Sequence, residues 1–103
     1  MPVIRKKLEP ESPRHQELVK ALKDELRRDQ PAGAGPVIEE EEQRGNRIHV
    51  QVVWDEWDDV SNEERGRIIM DAYEQARPDD LPRITIALGL TTAEARKLGV
   101  AVG

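Results

Sequence analysis

The sequence contains no cysteine and no phenylalanine, and its aromatic residues are two tryptophans and one tyrosine. Without cysteine the chain cannot form disulfides, use a thiolate nucleophile or ligate a metal through sulfur. With so few aromatics a core must be built mainly from Ile, Val and Leu, and in 103 residues that core is adequate but thin. No apolar run reaches membrane-spanning length, so no membrane partner is expected. Residues 1–8 lack the apolar stretch of a secretory signal, which makes a cytoplasmic location the default expectation. Positive charge is also short: 16 Lys and Arg against 21 Asp and Glu leave −5, an acidic balance that argues against nucleic acid as partner.

Reactive motifs are missing too. Gly33-Ala34-Gly35 has no Lys-Ser/Thr after it, so it is not a phosphate loop. A Gly-x-x-Gly between helices, which KH-type RNA binding needs, is absent. Asp58, Asp59, Asp79 and Asp80 do not have calcium-loop spacing. The only histidines are His15, among charged helix residues, and His49, on the open side of a strand. No catalytic set, metal-ligand set or cofactor motif emerges, and a non-enzymatic protein is expected.

What is present is organised around residues 47–54. Ile48, Val50, Val52 and Trp54 alternate with Arg47, His49 and Gln51, the two-residue period of a half-buried strand. Residues 37–43 read as its hairpin partner across the turn Arg44-Gly45-Asn46. That register sets Ile38 against Val52 on the core side and Glu41 against His49 on the other. The four glutamates of this strand read as charge on a sheet edge, which discourages pairing with other chains. A cation site there would need further ligands that the pattern does not supply. Residues 83–88 form a third strand with Ile84, Ile86 and Leu88 inward, ended by a turn at Gly89.

Three helices join these strands. Ser12-Pro13 supplies an N-cap and a first-turn proline, followed by the stripe Leu18, Val19, Leu22 and Leu26, with Arg27 and Arg28 at the C-terminal end. The Pro- and Gly-rich residues 31–36 are a connector. Ser61 with Glu64, and Thr91 with Glu94, have capping-box spacing. The first box opens a helix whose buried stripe is Ile68, Ile69, Ala72, Tyr73 and Ala76, stopped by Pro78. The second opens a short helix through Leu98 that Gly99 ends. Residues 1–11, with Arg5, Lys6 and Lys7, read as a flexible basic tail, 12–99 as a single domain and 100–103 as a C-terminal tail.

The expected architecture is α+β, α-β-β-α-β-α, a three-stranded mixed sheet with helices packed on one face. A parallel second and third strand joined through a helix completes it. From about residue 47 to 98 the chain resembles the BolA family, which has a KH-like fold. The resemblance is carried by Val53-Trp54-Asp55-Glu56-Trp57 after the strand, by Arg65-Gly66-Arg67-Ile68-Ile69, which is similar to the family's Arg-His-Arg signature, and by residues 83–88 followed by Thr92-Ala93-Glu94. In that family, histidines in the signature and at the start of the last strand are associated with function, and the latter ligates an iron–sulfur cluster shared with a monothiol glutaredoxin. Here those positions hold Gly66 and Arg83. A guanidinium has no lone pair for iron, so the resemblance implies the fold without the cluster.

The expected function is therefore that of a small non-catalytic domain that binds a protein partner or a second copy of itself. Its surface would be the outer sheet face and the adjoining loop, with His49, Gln51, Trp57 and Arg83. The alternative is a nucleic-acid-binding, transcriptional regulator of KH-like type using Arg65, Arg67 and Arg83 on phosphates. A further alternative is an iron–sulfur, glutaredoxin-linked adaptor, against which the missing histidines count.

Overall fold

The computed structural model describes residues 7–26 and 35–98 in full and residues 4–6 by their backbone. Along the chain run strand β1 (Ile4–Lys7), helix α1 (Pro13–Leu26), strands β2 (Val37–Gln43) and β3 (Arg47–Val53), helix α2 (Asn62–Ala76), strand β4 (Ile84–Leu90) and helix α3 (Thr92–Lys97). Short 3₁₀ turns at Asp55–Trp57 and Pro78–Arg83 flank α2. The α+β class and the order α-β-β-α-β-α from α1 to α3 hold, with β2 and β3 antiparallel and β3 and β4 parallel.

A fourth strand precedes them. Residues 1–11 are not all tail, because Ile4–Lys7 pair antiparallel with β2 and extend the sheet to the order β1-β2-β3-β4. The register accounts for two runs of charge at once: Arg5 lies opposite Glu41, Lys6 opposite Glu40 and Lys7 opposite Glu39. β2 is thus an interior strand and not the sheet edge that its glutamates suggested. The hairpin turn is as expected, with Gly45 and Asn46 at positive φ, +76° and +65°, where Gly and Asn are tolerated.

The helix starts follow the capping residues. The Ser12 hydroxyl accepts the His15 N–H at 3.2 Å, and Thr91 closes a full box with Glu94. Ser61 caps α2 by accepting the Glu64 N–H, but that box is half closed, because the Glu64 carboxylate bonds Arg67 instead at 2.9 and 3.0 Å.

The core lies between the sheet and the α1–α2 pair, with Leu18, Leu22, Ile38, Ile48, Val50, Val52, Ile69 and Tyr73 at its centre. Ile84 joins it, whereas Ile86 and Leu88 do not. The β3–β4 register jumps from Ile48↔Ile84 to His49↔Ile86, leaving Thr85 as an extra residue. One extra residue reverses the alternation of every side chain beyond it. Ala87 and Gly89 then sit inward beside Val50 and Val52, while Ile86 and Leu88 turn outward. The cause is the buried Trp57 indole, which fills the inner space at this end. A Cβ on Gly89 would stand 2.9 Å from that ring and from the Arg65 Cβ.

On the outer face, α3 covers one end, where Ala95 packs with Val53, Leu90 and Val37 in a second small cluster. Among the described residues no helix is long and apolar enough to cross a membrane. Arg27, Arg28, residues 31–34 of the expected connector, Gly99 and the expected tail 100–103 lie outside the described residues.

Candidate functional site

The uncovered part of the outer face is set by alternation along three strands. Glu39 and Glu41 come from β2, His49 and Gln51 from β3, and Ile86 and Leu88 from β4; they line a shallow depression of about 150 Å³. Its polar half is internally bonded. Gln51 Nε2 donates to Glu39 at 3.2 Å, and Gln43 Nε2 donates to Glu41 at 2.7 Å. His49 Nδ1 stands 3.5 Å from Glu41 Oε1, the cross-strand pair expected from the hairpin register. Its apolar half is open, with Ile86 50% and Leu88 36% exposed.

The residues expected at one surface divide between three places. His49 and Gln51 are on the outer face. Trp57 is not a surface residue: it is fully buried, donates its indole N–H to the Val52 carbonyl at 3.1 Å and meets Trp54 edge-to-face with centroids 5.2 Å apart. Arg83 turns to the opposite side, where it donates to the Asn46 carbonyl at 2.9 Å and to Asp80 at 3.0 Å.

The arginines of the nucleic-acid alternative do not converge either. Arg65 is buried and donates to the carbonyls of Val60 (2.8 Å), Trp57 (2.8 Å) and Gly89 (3.1 Å), and to Glu94. Since the Leu90 carbonyl accepts from the Trp54 N–H just past the end of β3, the neighbouring Gly89 carbonyl points to the free edge of β4, and Arg65 occupies it. Arg67 lies exposed between Glu64 and Asp71, at 2.9 and 2.7 Å. One arginine is an edge plug, one is held by two carboxylates, and the third is a loop tie.

A second polar constellation, on the helix side, was not visible in the sequence. Glu40 is only 8% exposed and accepts from Arg14 Nε (3.2 Å), Arg14 Nη2 (2.7 Å) and the Tyr73 hydroxyl (2.6 Å). Arg14 Nη1 also reaches Asp80 at 2.8 Å, and Asp80 accepts from Arg83. Burial opposes charge on Arg14, but its bonds to Glu40 and Asp80 outweigh this and raise its pKa. Burial, then the Glu40 charge, pushes the Tyr73 phenol well above its usual range. Burial likewise works against the Asp80 carboxylate, yet Arg14 and Arg83 together hold it below the usual range. The network adjoins a cleft of about 450 Å³ lined by Leu8, Ser12, Arg14, Glu40, Glu42 and Arg83, among others. Its central carboxylate ties β2 to α1 through Arg14 and to α2 through Tyr73.

His15 lies at the start of α1 with its Nδ1 buried and unbonded, and burial lowers its pKa. Among the described residues no three His, Asp or Glu side chains are grouped to hold a metal ion. The signal for the reversed face was Gly89, because an isolated glycine in a strand marks a bulge or a close approach. No family model, curated protein or solved structure matches the chain.

Proposed function

We propose that this protein is a non-catalytic binding domain whose contact surface is the outer sheet face at Ile86 and Leu88, beside His49 and Gln51. The single observation that carries the reading is the outward turn of those two aliphatic side chains. A domain with a thin core gains stability by burying such residues, and large apolar side chains grouped on an open face mark an interaction site. The chemistry at hand favours binding over catalysis. The Glu40–Arg14–Tyr73 cluster is bonded within itself, and His49 stands between Glu41 on β2 and Ile86 on β4.

The cluster-adaptor alternative gains nothing from the geometry. Gly66 stands against the Ala87 carbonyl, and Arg83 is taken up by Asp80 and Asn46. The test is co-purification of the tagged chain from its native host, with wild type beside the double substitution Ile86→Glu, Leu88→Glu. A protein retained by wild type and lost from the double variant, with unfolding midpoints alike, is the expected result. Equal retention by both would refute the assignment of this face.

A further inference from the structure

We infer that the occupant of the outer face is a second copy of this chain, paired about a two-fold axis over β4, with Ile86, Leu88 and Leu98 of each copy against those of the other. This rests on the reading of that face as the docking surface and goes on to name the partner.

The first support is the distribution of exposed apolar side chains. Among the described residues the large exposed ones are Ile86, Leu88 and Leu98, the last 65% exposed. The β3–β4 register puts Ile86 and Leu88 on the outer face. Leu98 caps α3 in helical geometry three residues after Ala95, and Ala95 packs on Val53 and Leu90 of the same face. Positions three apart share a helix side, so Leu98 extends the strip rather than starting another.

Charge supplies the second support. The whole chain carries −5, so two copies repel over most of their surface. On the outer face the acids Glu39 and Glu41 belong to β2, and β4 carries no charge. Those acids, Glu39 bonded to Gln51 and Glu41 to Gln43 and His49, have β3 between them and β4. What remains is an uncharged apolar strip along one margin of the sheet, and an identical strip is its complement.

Symmetry then fixes the arrangement. An isologous contact sets each patch against itself. An axis over β2 would bring Glu39 and Glu41 against their own copies, which like-charge juxtaposition disfavours. An axis over β4 joins the apolar strips and leaves the charged β1–β2 flank at the rim. Size limits the strength. Even the whole outer face of β2, β3 and β4, counting the end under α3, offers only on the order of 300 Å² in plan, from seven residues per strand, about 4.8 Å between strands and about 3.3 Å of rise per residue. Stable complexes bury roughly 800 Å² per partner, so the pairing is concentration-dependent rather than obligate.

Sedimentation velocity on the purified chain from about 10 μM to about 1 mM tests this, since a weak contact has a dissociation constant within or near that range. A shift from monomer towards dimer is expected. Ile86→Lys and Leu88→Lys, each checked for native circular dichroism, should raise the dissociation constant at least about tenfold. Arg67→Glu, on the helix side, should leave it unchanged. A chain that stays monomeric throughout overturns the inference, and so does a dimer indifferent to both lysine substitutions. If the pure chain is monomeric while host-protein capture still depends on Ile86 and Leu88, self-pairing fails and the docking face stands. Loss of both dependences removes both.

Discussion

Arg65 was open to a role on phosphates in the nucleic-acid alternative, but its guanidinium is turned inside, where it serves three backbone carbonyls. Removing it would strand those acceptors, and buried unsatisfied polar groups cost about 1–3 kcal/mol each. Arg65→Met should therefore lower unfolding free energy by about 3 kcal/mol in a urea titration, whereas Arg67→Met, exposed between two surface acids, should change it by less than about 1 kcal/mol. Near-equal effects would show that the edge plug is unimportant. Tyr73 offers a second residue-scale test, because it is the only tyrosine in the chain. The folded state holds its phenolic proton more tightly than the unfolded chain does, through burial and then the Glu40 charge. That contribution is complete below the unfolded value of about 10 and is lost as pH rises beyond it. Phenolate absorbance should thus appear only together with alkaline unfolding. A phenolate signal developing near pH 10 in a chain that keeps its native circular dichroism would contradict the buried bond to Glu40.

Elements differ in how much of their stability is their own. α3 has six residues, too few to persist alone, and depends on the Thr91 box and on Ala95. Thr91→Ala should cost about 1 kcal/mol, and amide exchange should quicken first in α3, ahead of the β2–β3 ladder. Uniform loss of protection would mean that α3 opens only with the whole domain. The elements were also unevenly legible in the sequence. β3, the hairpin turn, the helix starts and the pairing of Glu41 with His49 followed from local period and capping chemistry, and the structure keeps them. β1 was hidden because a short basic segment has no alternation to read. Its reason for being a strand lies in residues 39–42, far along the chain. In β4 the alternation was legible and its phase was not, because the phase is decided by the Trp57 ring pressing on Gly89. The candidate site inherited that error. His49 and Gln51 were placed correctly, while Ile86 and Leu88 were assigned to the core they turn away from.

At the scale of the whole molecule, one layer of helices and one sheet must supply nearly all the apolar burial. Val52 is fully buried at the middle of β3, so Val52→Ala should cost about 1–4 kcal/mol, while Ile86→Ala, half exposed, should cost less than about 1 kcal/mol. Parity between the two would restore Ile86 to the core and undo the outer-face assignment. The helix-side tie joins strand, both long helices and the 3₁₀ turn through Glu40, Arg14 and Asp80. Because the Asp80 carboxylate is held below its usual range by Arg14 and Arg83 against the pull of burial, its contribution is present above about pH 4 and is lost as pH falls through the folded value. The two tryptophans have an optical consequence. Both indoles are buried, and they touch edge to face at the junction of β3 and the turn after it. Indoles held away from water in this way should emit at short wavelength. Opening of the domain separates and hydrates both rings together, so the colour of the protein's own fluorescence follows global unfolding without a label.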